Sequence, residues 1–427
     1  MECAAGKRSL LALFVKKLKS QFLLYKKNTM PTAAATFDDD VFLLLLLSNS
    51  VQCLNAPARF IDTLDEEGRS RRIRRIPRIA LVDPNLSPWV KVYTSGSETA
   101  MITFTGLDYP TFNFLAVEFE VLYNMYTPYS RNGKIILKRQ VGRFRRPRSL
   151  DSRGCLALVL AYTRTKGATF VLCMLFGIIG TTASLFLRFG RRLLLKILKS
   201  LDGAKVQMPP LGDIDEYKRV VVRMYPSLVD VWFVVDGLKL LLERPRNGRI
   251  QSCFYNGWTH DHYVTNIFAF APNGQIIACS INNPGNVHDS QVAEQGGVYE
   301  KLEDQHRITG GKGVVDSAFS RGRYPFLIKS CQTLPTDATE RIVLVNDEAT
   351  SLRQSSEWGM RGLQGSFPRL KDRFMYEEYG ERLLVLLTIV HLYNFRARYV
   401  GMNQIRSVFM PTLEQYSADI ILEWVQN

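Results

Sequence analysis

The chain has 427 residues, 46% of them hydrophobic, and a formal net charge of +15. That length suits two or three domains. That composition supports ordinary buried cores and excludes collagen-like or wholly disordered chains. The charge is uneven: residues 1–200 hold 31 Lys and Arg against 14 Asp and Glu (+17), whereas residues 201–427 hold 24 against 26 (−2). The front half is suited to a polyanion, nucleic acid ahead of an anionic membrane surface, while the back half keeps carboxylates for its own use. Seven cysteines, odd in number and never spaced C-x-x-C, argue against a disulfide framework or a zinc knuckle and for a reducing compartment.

Taken in chain order, residues 1–35 read as a poorly structured basic arm, without the clean apolar core and cleavage site of a secretory signal. Residues 36–200 read as a mostly helical, basic region. Asp38–Asp40 can cap the apolar run that follows them, and Gly68–Arg78 holds six arginines. Among these, Arg71, Arg72, Arg74 and Arg75 form a candidate phosphate strip, although charge runs are more often solvated helix faces.

Val171–Leu187 is uncharged but short of the roughly 20 residues of a spanning helix, and glycines and hydroxyls interrupt it. We read it as helix, Gly-containing turn, helix: a helix-turn-helix near 169–192. Its second helix starts near Thr181 and runs into Arg188, Arg191 and Arg192, candidate DNA contacts. Residues 201–228 read as a linker.

From 229 to 410 the grammar becomes α/β, and 411–427 reads as a tail. VDVWFVVDG reads as a strand ending at Asp236. HYVTNIFAFAPNGQIIACSIN reads as two strands joined at Pro272-Asn273-Gly274, a hairpin signal. PGNVHDS turns into a helix, KGVVDSAF is a strand ending at Asp316, 334–350 is a polar loop, and the chain is helical from Ser351. Strand, hairpin, helix, strand, helices is the order of an RNase H-like mixed sheet flanked by helices. Two strand-end aspartates and Glu357 on a helix can converge on divalent cations that prefer oxygen ligands. An isolated strand-end Asp is more often a turn residue.

Several motifs together carry a resemblance: VDG (Val235–Gly237) then Pro245, YNGW (Tyr255–Trp258), FAPNGQI (Phe270–Ile276), NNPGNVHDS (Asn282–Ser290), VDSAF (Val315–Phe319) and SLRQSSEWGMRGLQGSFPRLK (Ser351–Lys371). They resemble the DDE superfamily endonuclease domain of PIF/Harbinger transposases and their domesticated nuclease relatives. Asp151–Thr165 and Leu175–Arg191 are similar to the helix-turn-helix part of such proteins.

The resemblance implies a DNA endonuclease or transposase that cuts at transposon ends and joins 3′ hydroxyls to target DNA. Its catalytic residues would be Asp236, Asp316 and Glu357, with Asp289 a further metal ligand. The cofactor would be magnesium, with manganese the other candidate. A Myb-like accessory DNA-binding protein and a nuclear location (cytoplasm the alternative) are implied as well, a homo-oligomer stays open, and no membrane association is expected. The alternative is a domesticated DNA-binding protein that no longer cuts. Around the site, Arg353 and Arg361 share the helical face of Glu357, where they can pair with it or contact phosphate. Lys371 is a phosphate contact or a solvated lysine. His288 orients Asp289 or is a turn residue, and Tyr255 and Trp258 stack on a base or, the commoner outcome beside a strand, pack into the core.

Overall fold

A computed structural model describes residues 76–410 apart from 130–135, 138–146, 246, 320–322, 332, 336 and 377. The arm over 1–35, the strip of Arg71, Arg72, Arg74 and Arg75, and the tail over 411–427 lie outside the described residues.

Short polar side chains start the first helices by accepting the N–H groups that a helix leaves unpaired. Helix α1 is Pro88–Thr94 and α2 is Glu98–Thr105, the latter capped by Ser97 Oγ on Ala100 N. Helix α3, Tyr109–Met125, is capped by Asp108 on Thr111 N at 2.8 Å. A small antiparallel ribbon of β1 (Tyr126–Thr127) and β2 (Ile136–Leu137) follows. Helix α4, Ser152–Arg164, is capped by Asp151 on Gly154 N at 2.7 Å. Helices α5 (Phe170–Phe176) and α6 (Gly180–Leu198) meet at 90° across a short turn. Gly177 makes that turn at φ +63°, a left-handed conformation that costs glycine nothing. The apolar character of Val171–Leu187 has a packing cause: Leu172, Phe176, Phe186 and Leu187 are buried in the same core as Leu156 and Leu160 of α4.

Half of the expected linker over 201–228 is a helix. Helix α7, Leu211–Met224, buries Ile214, Tyr217, Val220 and Val221, a helical period hidden in the sequence by the charged residues between them. It packs on the central strand β3, Val231–Leu241. After β3 come α8 (Gly248–Phe254), β4 (Tyr255–Asn256), β5 (Asp261–Phe270) and β6 (Ile276–Pro284). The turn between β5 and β6 is the expected Pro-Asn-Gly, closed by Asn273 Oδ1 accepting from Gln275 N at 2.9 Å. Helices α9 (Asp289–Gln295) and α10 (Val298–Thr309) carry the chain across to β7 (Lys312–Val315), and β8 (Leu327–Lys329) follows.

The main sheet runs β6-β5-β3-β7-β8, with β4 a short addition to β5. Pairing is antiparallel from β3 to β5 and β5 to β6, and parallel from β3 to β7 and β7 to β8. Helix α11 spans Glu340–Ser366, so the polar loop expected over 334–350 is mostly its first turns. Those turns face solvent, with Ile342, Val343 and Leu344 exposed, and therefore lack the apolar stripe by which helices are read. Helix α12 is Tyr379–Tyr399 and α13 is Gln404–Phe409.

One core joins the two regions that the sequence separates. Phe112, Leu156 and Phe186 of the helical part cluster with Val234, Phe268 and Phe270 of the sheet and with Leu363 and Ile389 of α11 and α12. The other sheet face buries Phe233, Val235, Ile267 and Ala269 against Val292 and Leu302 of α9 and α10. The described residues accordingly fall within one compact unit. The stretch Tyr379–Phe409 is long and apolar enough for a membrane span, and 67% of its apolar window is buried within the protein.

Asn394 ties α12 to the sheet. Its Oδ1 accepts from Ile276 N at 2.7 Å, and its Nδ2 donates to the Ile276 and Lys205 carbonyls at 2.8 and 2.9 Å. Asn394→Leu leaves these buried backbone groups unpaired and lowers unfolding free energy by about 2–4 kcal/mol. Urea denaturation measures this; an unshifted midpoint would show that the junction is not anchored there.

Candidate active site

Asp236 lies in the middle of β3, not at its end. Leu238 and Leu240 keep the alternation going, and pairing with β5 continues to Leu241 opposite Tyr263. Because β7 runs parallel to β3 with Val235 opposite Val315, the next residue, Asp316, comes level with Asp236. Asp289 opens α9 and leans over the strand at Gly237. A Cβ on Gly237 would fall 2.9 Å from the Asp289 carboxyl carbon, so the absent side chain is what admits that carboxylate.

Electrostatics tie the three aspartates together. Burial pushes the Asp236 carboxyl above its usual range, and the Asp316 charge adds to the push. Hydrogen bonds from Gly237 N (2.7 Å) and Ser356 Oγ (2.9 Å), together with the nearby Arg353, act the other way. Asp289 is raised by the same two causes, burial first and Asp316 after it, against the pull of Lys239 and His288. His288 is exposed, precedes α9 and makes no side-chain cap; its backbone carbonyl accepts from Val292 N.

Ser356 is the residue that sequence reading passed over. Its hydroxyl lies 2.9 Å from Asp236 Oδ2 and 2.7 Å from the Arg353 carbonyl, so its one hydrogen serves one of them at a time. The signal was present in the periodicity: Leu352, Ser356, Gly359 and Leu363 mark the buried face of α11, and a serine there needs a partner.

Glu357, the next residue, is not drawn in with the aspartates. Its oxygens are held by Arg353 at 3.6 Å and Arg361 at 3.5 Å, and its side chain is 41% exposed. Arg353 pairs with Glu357 and its charge also acts on Asp236. Among the described residues, no group of three His, Cys, Asp or Glu side chains is close enough to hold a metal ion. The donor chemistry of the site is nonetheless that of a hard cation: oxygen ligands only, on carboxylates that burial and mutual repulsion disfavour as bare charges.

The other expected contacts are scattered. Arg188, Arg191 and Arg192 of α6 gather on Glu381 of α12 at 3.5, 3.3 and 3.3 Å. Arg191 is buried there over the Tyr162 ring, while Arg188 and Arg192 keep part of their surface. Lys371 is exposed at the end of a short 3₁₀ turn. Tyr255 and Trp258 do not pack into the core: their exposures are 38% and 93%.

No curated protein and no solved structure matches the chain. Residues 235–394, from the strand that holds Asp236 to the α12 residue that anchors the sheet, match the family model of the DDE superfamily endonuclease.

Proposed function

We propose that this chain is a metal-dependent DNA endonuclease of the transposase type, with an RNase H-like catalytic fold. The observation that carries the reading is the placement of Asp316, directly after β7, level with Asp236 on the neighbouring parallel strand β3, within the stretch that matches the DDE superfamily endonuclease. The strand order supports the fold assignment. Numbered along the chain, the five main strands lie 3-2-1-4-5, with the first three antiparallel and the last two parallel to the first.

In this reading Asp236, Asp316 and Glu357, with Asp289 as a further ligand, would hold magnesium or manganese. When bound, such ions activate the attacking oxygen and stabilise the leaving one. The protein's own part is positional. Gly237 N and Ser356 Oγ fix the Asp236 carboxyl, and Arg353 and Arg361 hold Glu357 one turn away on either side. Arg353, Arg361 and Lys371 are the cations that would meet backbone phosphates. The PIF/Harbinger subtype, cutting at transposon ends with joining to target DNA, DNA contacts from Arg188 and Arg192 and the basic front half, a Myb-like partner and a nuclear location complete the proposal. The arginine-held Glu357 favours one second reading, a DNA-binding relative that no longer cuts.

Asp236→Asn keeps the side-chain shape and removes the charge. Magnesium-dependent nicking of terminal-repeat DNA should fall by about three orders of magnitude or more while gel-shift binding persists. Equal nicking by wild type and variant would refute the site; wild type that binds but never nicks, partner added, would favour the second reading.

A further test needs no substrate. The Asp316 charge opposes both neighbouring carboxyls, so Asp316→Asn should leave the metal-free protein at least as stable as wild type in a thermal melt. It should also abolish the rise in melting temperature that magnesium gives the wild type. Failure of magnesium to stabilise the wild type would count against a metal centre here.

The +17 balance of residues 1–200 predicts that DNA affinity falls steeply with salt as counterions are released. Replacing Arg71, Arg72, Arg74 and Arg75 with Ala should weaken all DNA sequences alike. Affinity indifferent to both salt and substitution would assign the basic half another purpose.

A further inference from the structure

Trp258 is 93% exposed, whereas Trp89 and Trp232 are buried at 4% and 0%. An indole in water forgoes the largest apolar burial available to any side chain. The loop is the four-residue turn 257–260 between Asn256, paired with Asp261, and that strand.

Side chains brace it on every side. Asn256 Oδ1 accepts from Trp258 N at 3.1 Å and Thr259 N at 3.2 Å, while its Nδ2 donates to the Gly285 carbonyl at 3.3 Å. Tyr255 Oη meets His260 Nδ1 at 3.2 Å, with His260 held at φ +55°. At the base, Arg373 grips Asp261 through two hydrogen bonds of 3.0 and 2.6 Å and reaches the Leu242 carbonyl at 3.1 Å. Those hydrogen bonds hold the Asp261 carboxyl down to about 2. The backbone that carries the indole is therefore held in place, which reduces the ordering cost of binding.

Charge identifies the kind of occupant. Lys239 of β3, Arg244 between β3 and α8, Arg249 of α8 and Lys371 before Arg373 are exposed. Asp261 and Asp372 are held by Arg373 and Arg369, leaving Glu243 as the opposing exposed charge among the described residues there. Position agrees. From Asp236 to Leu241, β3 advances five residues, about 17 Å at the rise of a strand. The turn lies beyond Leu241, at the end of the sheet where Asp316 leaves β7.

We propose that Trp258, with Tyr255 beside it, is a stacking platform for an unpaired base of the DNA strand that passes the carboxylates. Aromatic faces take any base, and the surrounding cations follow the backbone without reading sequence. The proposal rests on the DNA-acting reading of this domain but not on cleavage.

The test uses the full-length chain and two probes, a single-stranded oligothymidylate and a blunt duplex of the same length. Trp258→Ala should weaken oligothymidylate binding by about ten-fold and change duplex binding by less than about two-fold, with Trp258→Phe recovering most of the loss. The same difference should persist in an Asp236→Asn background, because stacking precedes chemistry. Undiminished oligothymidylate binding by Trp258→Ala would assign the indole to a protein surface and overturn the proposal. Equal loss on both probes would overturn it too, since stacking needs an unpaired base. Should wild type never nick while the Trp258 dependence holds, the nuclease reading falls and the platform stands.

Discussion

Like charges crowded at the junction of β3, β7 and α9 set the terms for much of the surrounding structure. Asp236 and Asp289 are both pushed toward protonation by burial and by Asp316. A fold gains no stability from such an arrangement, since neutral side chains would pack there without repulsion. Each neighbouring device limits the penalty: Gly237 donates its N–H to one carboxylate and yields space to another, and a buried serine donates from α11. Perturbed acids held in place at the expense of stability are what a functional site requires.

That strain is borne by a scaffold with one continuous core. The helical region covers one face of the sheet, with α12 between them touching both α6 and β6. Its polar side chains serve as connectors. Asn394 completes the hydrogen bonding of Ile276 at the sheet, and Glu381 collects three arginines of α6. Arg191 thus fixes the 90° helix pair to the rest of the unit, while Arg188 and Arg192 retain exposed surface beside it. A basic run on a helix divides its labour in this way: the member on the buried side is wholly structural, and its neighbours share the same carboxylate from the surface.

Much of the sheet was legible because strands announce themselves by alternation and turns by Pro, Asn and Gly. The Pro272-Asn273-Gly274 turn and the Lys312–Val315 strand ending before Asp316 fall where the pattern puts them. What failed to show were elements whose buried face is narrow. In α7 the apolar residues are separated by a charged run, and the first turns of α11 have no core to face. Asp236 read as a strand end because apolar runs are easier to see than the alternation that follows them. Trp258 was misplaced for another reason: hydrophobicity argues for burial, and only the fold reveals that a turn carries the residue into solvent.

Glu357 shows how geometry and occupancy separate. Successive helical residues are about 100° apart around the axis, so a helix locked with Ser356 against β3 must carry Glu357 to the rim of the same face. There the glutamate meets arginines one turn away on each side, at 3.6 and 3.5 Å. Exposed pairs of that kind contribute roughly 0.3–0.5 kcal/mol each, far less than a carboxylate gains from a divalent cation. The arginines therefore hold the glutamate at the rim with two weak, solvent-screened pairs.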